Sequence, residues 1–260
     1  RRFTLRHYYL FIAYSAPSVG FRRSTMDDSL LDFTLVPLGL VVMVTYHIWL
    51  LHRIISNPTK TVIGINAINR RFWVSAMMED STKNGVLSVQ TLRNNIMAST
   101  LLASTAITLS SVIAALMTSS NWGHSARLFV YGDKSELGAS IKFFAILACF
   151  LLAFLLTIQS IRYYSHASIL INVPMKTLCS SGYNHLNPEY VATCANRGGY
   201  FWSLGLRAFY FSFPLFMWIF GPIPMFSSSC LLVVVLYFLD VTFDSETSGA
   251  TAEIESAFRV

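Results

Sequence analysis

Along this chain the apolar residues gather into long runs, not into the stripes of an amphipathic helix or the alternation of a half-buried strand. No Lys, Arg, Asp or Glu lies between Asp32 and Arg53, Arg93 and Arg127, Lys142 and Arg162, or Arg207 and Asp240. Each interval is long enough for the ~20 apolar residues with which a helix crosses a ~30 Å hydrocarbon layer. None alternates as the strand of a membrane barrel does. The pattern predicts an all-α, polytopic membrane helical bundle of about four spans, near residues 30–51, 95–117, 142–163 and 204–239. These spans sit in a membrane domain over residues 26–243, followed by a polar tail over 244–260.

The last run is too long for one untilted crossing, and Gly221, Pro222 and Pro224 interrupt its middle. One long kinked helix that crosses once is the expectation, which places Asp240 near the far interface. Two shorter helices forming a hairpin are the alternative. Orientation follows from Lys and Arg in short loops. The segment after the first span carries Arg53, Lys60, Arg70, Arg71, Lys83 and Arg93 and is expected to face the cytoplasm, whereas the next loop carries only Arg127 and Lys134. The third loop is basic again, with Arg162, Lys176 and Arg197.

Asn57-Pro58 and Asn187-Pro188 read as helix starts. After the first, Ile65, Ile68, Phe72 and Ala76 share a face, which predicts an amphipathic interfacial helix with Trp73, Arg70 and Arg71 at headgroup level. In the second span Ala106, Ser110 and Ala114 recur at four-residue spacing, as small residues do where membrane helices pack closely. That helix is expected to be central. A hydroxyl-lined permeation path is the sharper alternative.

Composition agrees: the chain of 260 residues is 54% hydrophobic and 12% charged, against roughly 25% charged in soluble domains. The formal net charge of +6 resides at the start. Arg1, Arg2, Arg6, Arg22 and Arg23 precede Met26 and every acid follows it, so without them the balance is nearly neutral. No nucleic-acid footprint remains. Residues 1–25 read as a targeting leader or, the expectation here, as an extension ahead of a start at Met26. The four cysteines, Cys149, Cys179, Cys194 and Cys230, show neither paired nor zinc-type spacing, so no metal is expected.

Several segments resemble a known family: Tyr46-His47, Asn57-Pro58-Thr59-Lys60-Thr61, Gln90-Thr91-Leu92-Arg93-Asn94 and Gly205-Leu206-Arg207-Ala208-Phe209-Tyr210. They are similar to domain-of-unknown-function family 599, multi-pass membrane proteins of plants and bacteria. The resemblance covers almost everything after Met26. It implies membrane placement and supplies no catalytic or ligand-binding residue.

The candidate polar ligand site is Gln159, Arg162 and His166 on one face of the third span, joined by Arg207, Arg93 and His47 at other helix mouths. Gln159 and Arg162 suit an anionic group and His166 can titrate, although interfacial snorkelling also explains a terminal Arg. His47 and His52 lie about 140° apart on a helix and cannot chelate together. A relay through His47 requires that it face Gln159 or Arg162. HExxH, GxSxG, P-loop and GxGxxG motifs are missing, so no cofactor and no familiar enzyme chemistry is expected.

The leading function is a carrier or channel for a small solute or ion. A structural or interaction protein that binds partner helices, a second copy or anionic lipid is the alternative, and a membrane-embedded enzyme is third.

Overall fold

A computed structural model describes residues 24–118, 136–173 and 187–242. Residues 1–23 of the leader, the tail beyond residue 242, Lys134 and Cys179 lie outside the described residues. The elements are α1 (Ser24–Ser56), a 3-10 turn (Pro58–Lys60), α2 (Val62–Glu79), α3 (Ser81–Thr118), α4 (Glu136–Leu170), α5 (Pro188–Met217) and α6 (Pro222–Asp240). Helices α1, α3, α4 and α6 are long and apolar enough to cross a membrane. α3 and α4 extend well past the predicted spans, because their polar ends continue as helix beyond the apolar stretch.

Helix α5 occupies the middle of the bundle. It runs antiparallel to α4 along that helix's length. The Ser160 hydroxyl donates to the Gly198 carbonyl (2.8 Å), Gly205 abuts Thr157, and the rings of Phe209 and Phe150 lie 5.5 Å apart. At the far end the Lys142 ammonium sits 5.4 Å from the Trp218 ring centroid. Lipid tails are as apolar as Leu, so helices in a bilayer are joined by close packing and polar contacts more than by the hydrophobic effect. Small residues on α5 allow that approach. A side chain at Gly199 would overlap the Arg70 guanidinium of α2, and one at Gly198 would press into the Tyr164 ring.

The 204–239 run folds as a hairpin, and the single kinked crossing is corrected. Gly221 adopts φ 149°, a backbone that L side chains rarely take, and Pro222 follows as the first residue of α6, where no N–H is needed. If the run were one straight helix, Arg207 and Asp240, separated by 33 positions, would lie ~50 Å apart at 1.5 Å per residue. They touch at 2.6 Å. Asp240 therefore lies at the same end of the bundle as the α1–α2 turn and not at the far interface. There Val241 forms a bridge with Thr61, and the Thr242 N–H donates to the Lys60 carbonyl (3.4 Å).

Helix α6 lies beside α1. Val36, Gly39, Met43, Tyr46 and Leu50, at three- and four-residue spacing, make the buried seam of α1. Gly39 meets Ser229, and Leu50 clusters with Leu236.

Two further expectations change. Helix α3 is peripheral, packed chiefly on α4 through Ser99, Ala103, Ala106, Ser110 and Ile113, while Ala114 is exposed. Its small residues form one seam and leave a second small-residue face open. Helix α2 turns Gly64, Ala67, Val74 and Met78 inward, and Phe72 is 53% exposed. Its inward stripe is offset from the predicted face because Arg70 points to α5, where its Nη1 donates to Asn196 Oδ1 (2.9 Å). Trp73 packs on the core formed by α2, α3, α4 and α5. α2 itself starts at Val62, one turn after Asn57-Pro58, with Thr61 as its cap. Asn187 caps α5 as expected, accepting from the Tyr190 N–H (2.9 Å).

Asp80 joins α2 to α3. Its Oδ1 accepts from the Thr82 hydroxyl (2.6 Å) and the Lys83 N–H (3.1 Å), and the Thr82 bond foremost holds this carboxyl below its ordinary range. That capping is fully present above the ordinary carboxylate range and fades as pH falls through the lowered value.

The hairpin predicts a sidedness. With the native cysteines replaced, Asn57→Cys and Thr242→Cys will react with a membrane-impermeant maleimide from one face of sealed vesicles, and Phe220→Cys from the other. Labelling of Thr242→Cys on the Phe220 side would contradict the hairpin. In addition, Gly205→Ala is expected to lower stability by ~1–3 kcal/mol through overpacking against Thr157 and the Ala153 carbonyl of α4, read by thermal unfolding in detergent.

Candidate functional site

Among the described residues, an ion pair is buried at the end of the bundle beside the α1–α2 turn, where α5, α6 and α1 meet. Arg207 Nη2 donates to Asp240 Oδ1 at 2.6 Å, and the two side chains are 13% and 10% exposed. The Tyr46 hydroxyl donates to the other carboxylate oxygen, Oδ2, at 2.7 Å. Desolvating an ion costs several kcal/mol, so a lone Arg207 or Asp240 here would be strongly unfavourable. Arg207 and Tyr46 together satisfy both carboxylate oxygens. A guanidinium has five N–H donors, and Arg207 Nη1 is buried with no hydrogen-bond partner.

His47, next to Tyr46, completes the cluster. Its Nδ1 lies 2.7 Å from the Met43 carbonyl, which can only accept, so Nδ1 carries a proton. Nε2 is buried without a partner. The ring lies 5.1 Å from that of Phe211, one turn beyond Arg207 on α5. Arg207 and His47 both line a cavity of about 660 Å³, whose other walls are mostly apolar, among them Val44, Ile48, Leu51, Ile63 and Leu204. Small-molecule sites typically measure ~300–1,000 Å³, are mainly apolar and carry few convergent polar groups.

The remaining predicted residues divide. Arg162 and His166 line a second cleft of about 450 Å³ at the basic end, together with Tyr163, Tyr190 and Arg197. His166 Nε2 is 3.3 Å from the Tyr190 hydroxyl. Gln159 is half-buried and lines neither of these cavities, and Arg93 is exposed on α3. Arg207 and His47 are thus brought together, Arg162 and His166 are brought together, and the six do not share one cavity. His47 faces Arg207 and Phe211 and not Gln159 or Arg162, so the condition for the relay is unmet.

Sequence reasoning passed over Tyr46 and Asp240 as site residues. The signal was present: Arg207 and Asp240 are opposite charges that bound one apolar run broken near its middle by Gly221-Pro222. It also passed over Asn196, which joins α5 to α2 by donating to the Ala67 carbonyl (3.1 Å) and accepting from Arg70.

At the opposite end of the bundle the Trp218 indole N–H donates to Asp32 Oδ1 (3.1 Å). Asp32, Lys142 and Trp218 all line a third cavity of about 420 Å³ there.

Residues 34–245 match the family model described as "Protein of unknown function, DUF599", and the chain belongs to that family. Neither the curated proteins nor the solved structures compared with it include a match.

The pair should behave as a unit. Arg207→Met or Asp240→Leu alone leaves an uncompensated buried charge and is expected to cost ~3–5 kcal/mol, whereas the double variant costs less than either single one. Thermal unfolding in detergent reads the cycle, and additive single effects would contradict the pairing.

Proposed function

We propose that this multi-pass membrane protein is a noncatalytic carrier that binds a small organic solute at the Arg207 pocket. The observation that carries the reading is a cavity of about 660 Å³, open on the side of the bundle, whose mostly apolar wall holds two basic residues, Arg207 and His47. The pair with Asp240 fixes the Arg207 side chain in place along this wall. The expected motif of a Gly-Pro-broken span plays a different part here. It makes the turn of the hairpin and brings Asp240 to Arg207, and it does not itself line the site.

A second reading draws on α3. Its exposed Ser104, Thr108, Ser111 and Ala115 lie on one open face, and the Thr108 and Ser111 hydroxyls bond back to the Ser104 and Ile107 carbonyls of the same helix (2.8 and 3.0 Å). Such a face lets another helix approach closely with the Thr108 and Ser111 hydroxyls already met. A partner membrane protein or a second copy would fit it, and the basic residues at the α2 end suit anionic lipid.

Vesicle reconstitution with an untargeted flux screen tests the carrier. At least one solute is expected to move in a protein-dependent way, slowed tenfold or more by the Arg207→Met, Asp240→Leu double variant and less than twofold by Arg162→Ala. Absence of any protein-dependent flux, or equal effects of the two changes, would sink this reading. For α3, Ser111→Cys is expected to give disulfide-linked dimers in bilayers if the open face meets a second copy; monomers alone would exclude a second copy there.

A further inference from the structure

Helices α4 and α5 face each other at the basic end of the bundle across the cleft of about 450 Å³. Arg162 and His166 lie one turn apart on α4, and Tyr190 and Arg197 lie two turns apart on α5; all four are exposed. Residues 137–239 hold five bases and a single acid, Glu189. Glu189 pairs with Arg71 of α2 (3.4 Å), and Asp240 pairs with Arg207. Among the described residues, Arg162 and Arg197 therefore bring two guanidinium groups to one cleft without an ion-pair partner. A single arginine at a helix end is explained by the interface alone, whereas two brought together from different helices make a site for an anion.

The cleft is braced by rings. The Arg197 guanidinium sits 6.0 Å from the Tyr163 ring centroid, and that ring stacks on Phe201 with centroids 5.5 Å apart. His166 Nε2 lies 3.3 Å from the Tyr190 hydroxyl. Depth follows from α4. Lys142 and Arg162 bound its uncharged run, and the 20 positions that separate them cover ~30 Å, the thickness of the hydrocarbon layer. Arg162 thus marks the hydrocarbon boundary, and His166 lies ~6 Å further out, among headgroups, where Tyr is also favoured.

A guanidinium is a planar fork that grips two phosphate oxygens at once. A phosphate monoester offers three free oxygens and up to two negative charges, enough for both forks. The phosphodiester of phosphatidylserine or phosphatidylglycerol offers two free oxygens and one charge, so it leaves one fork poorly met. We infer that the cleft binds a phosphate monoester at headgroup depth, with a membrane lipid as the expected bearer. Arg162 and Arg197 hold its oxygens from two helices, and His166 and Tyr190 add hydrogen bonds. The cleft shares no lining residue with the Arg207 cavity and stays empty in vesicles of phosphatidylcholine alone. Flux there, with or without Arg162, tests the carrier, and lipid capture tests the cleft.

The test uses the full chain in phosphatidylcholine nanodiscs, with phosphatidic acid bearing a photoactivatable acyl chain as probe. Saturable crosslinking is expected, and unlabelled phosphatidic acid will compete. Phosphatidylserine and phosphatidylglycerol will compete at least tenfold more weakly. Arg162→Gln and Arg197→Gln should each weaken capture tenfold or more, while Arg93→Gln, at an exposed base of α3 outside the cleft, should change it less than twofold. Thermal unfolding confirms their fold, and the lipid comparison on the unaltered chain decides the matter should a variant misfold. Glycerol 3-phosphate, the same group without acyl chains, separates the sources. Competition at least tenfold weaker than that of phosphatidic acid assigns the site to lipid, and equal competition assigns it to a soluble monoester. Equal competition by phosphatidylserine, an equal loss in Arg93→Gln, or crosslinking that does not saturate would overturn the inference and leave only general attraction between the basic end and anionic lipid.

Discussion

A carboxylate and a guanidinium buried among apolar helices can exist only together, and the pairing of Asp240 with Arg207 sets the arrangement of half the bundle. The contact requires α6 to return beside α5, which requires the reversal at Gly221 and Pro222. Returning, α6 lies on α1, where Tyr46 donates to the second carboxylate oxygen and ties a third helix to the pair. The chain then leaves α6 against the α1–α2 turn through the Thr61–Val241 bridge. One ion pair thus fixes the hairpin, its neighbour and the side on which the described chain ends. It also holds Arg207 at the wall of the cavity that His47 lines, so the same constraint that organises the fold positions the candidate site.

The remaining stability comes from close approach. In lipid, burying Leu against Leu gains little over Leu against an acyl chain, and helices adhere where small residues bring backbones together or where polar groups meet. Helix α5 has both. Gly198, Gly199 and Gly205 admit Tyr164, Arg70 and Thr157, and Asn196 and the Gly198 carbonyl receive polar contacts from α2 and α4. This explains how a helix too polar to stand out as a span becomes the one on which α2, α4 and α6 pack.

Much of the fold was legible because a lipid solvent writes itself into sequence as runs without charge. The runs around Met43, Ala106 and Phe150 became α1, α3 and α4, and Asn187 announced the start of α5. What was not legible depends on which side of a helix meets protein and which meets lipid. Both environments accept the same apolar residues, so the seam of α3 and the inward stripe of α2 could not be separated from their outer faces. The path after Gly221 was undetermined for a similar reason: a kink and a reversal use the same Gly-Pro signal, and only the partner of Asp240 distinguishes them. For the site, residue type pointed to Arg207 and His47, while grouping by helical spacing tied Gln159 to Arg162 and His166. Spacing along one helix cannot report which neighbouring helix lies opposite, and α5 and α6 decided the grouping.

The central claim is the buried contact between Arg207 and Asp240, and it can be measured directly. Magic-angle-spinning NMR of the full chain in bilayers, with ¹⁵N in arginine and ¹³C in the aspartate side chain, reads their dipolar coupling. A coupling typical of a hydrogen-bonded guanidinium–carboxylate pair, with an ionised carboxyl shift and abolished by Asp240→Asn, is the predicted result. Its absence, with Asp240 giving the signal of a solvated or neutral carboxyl, would contradict the account.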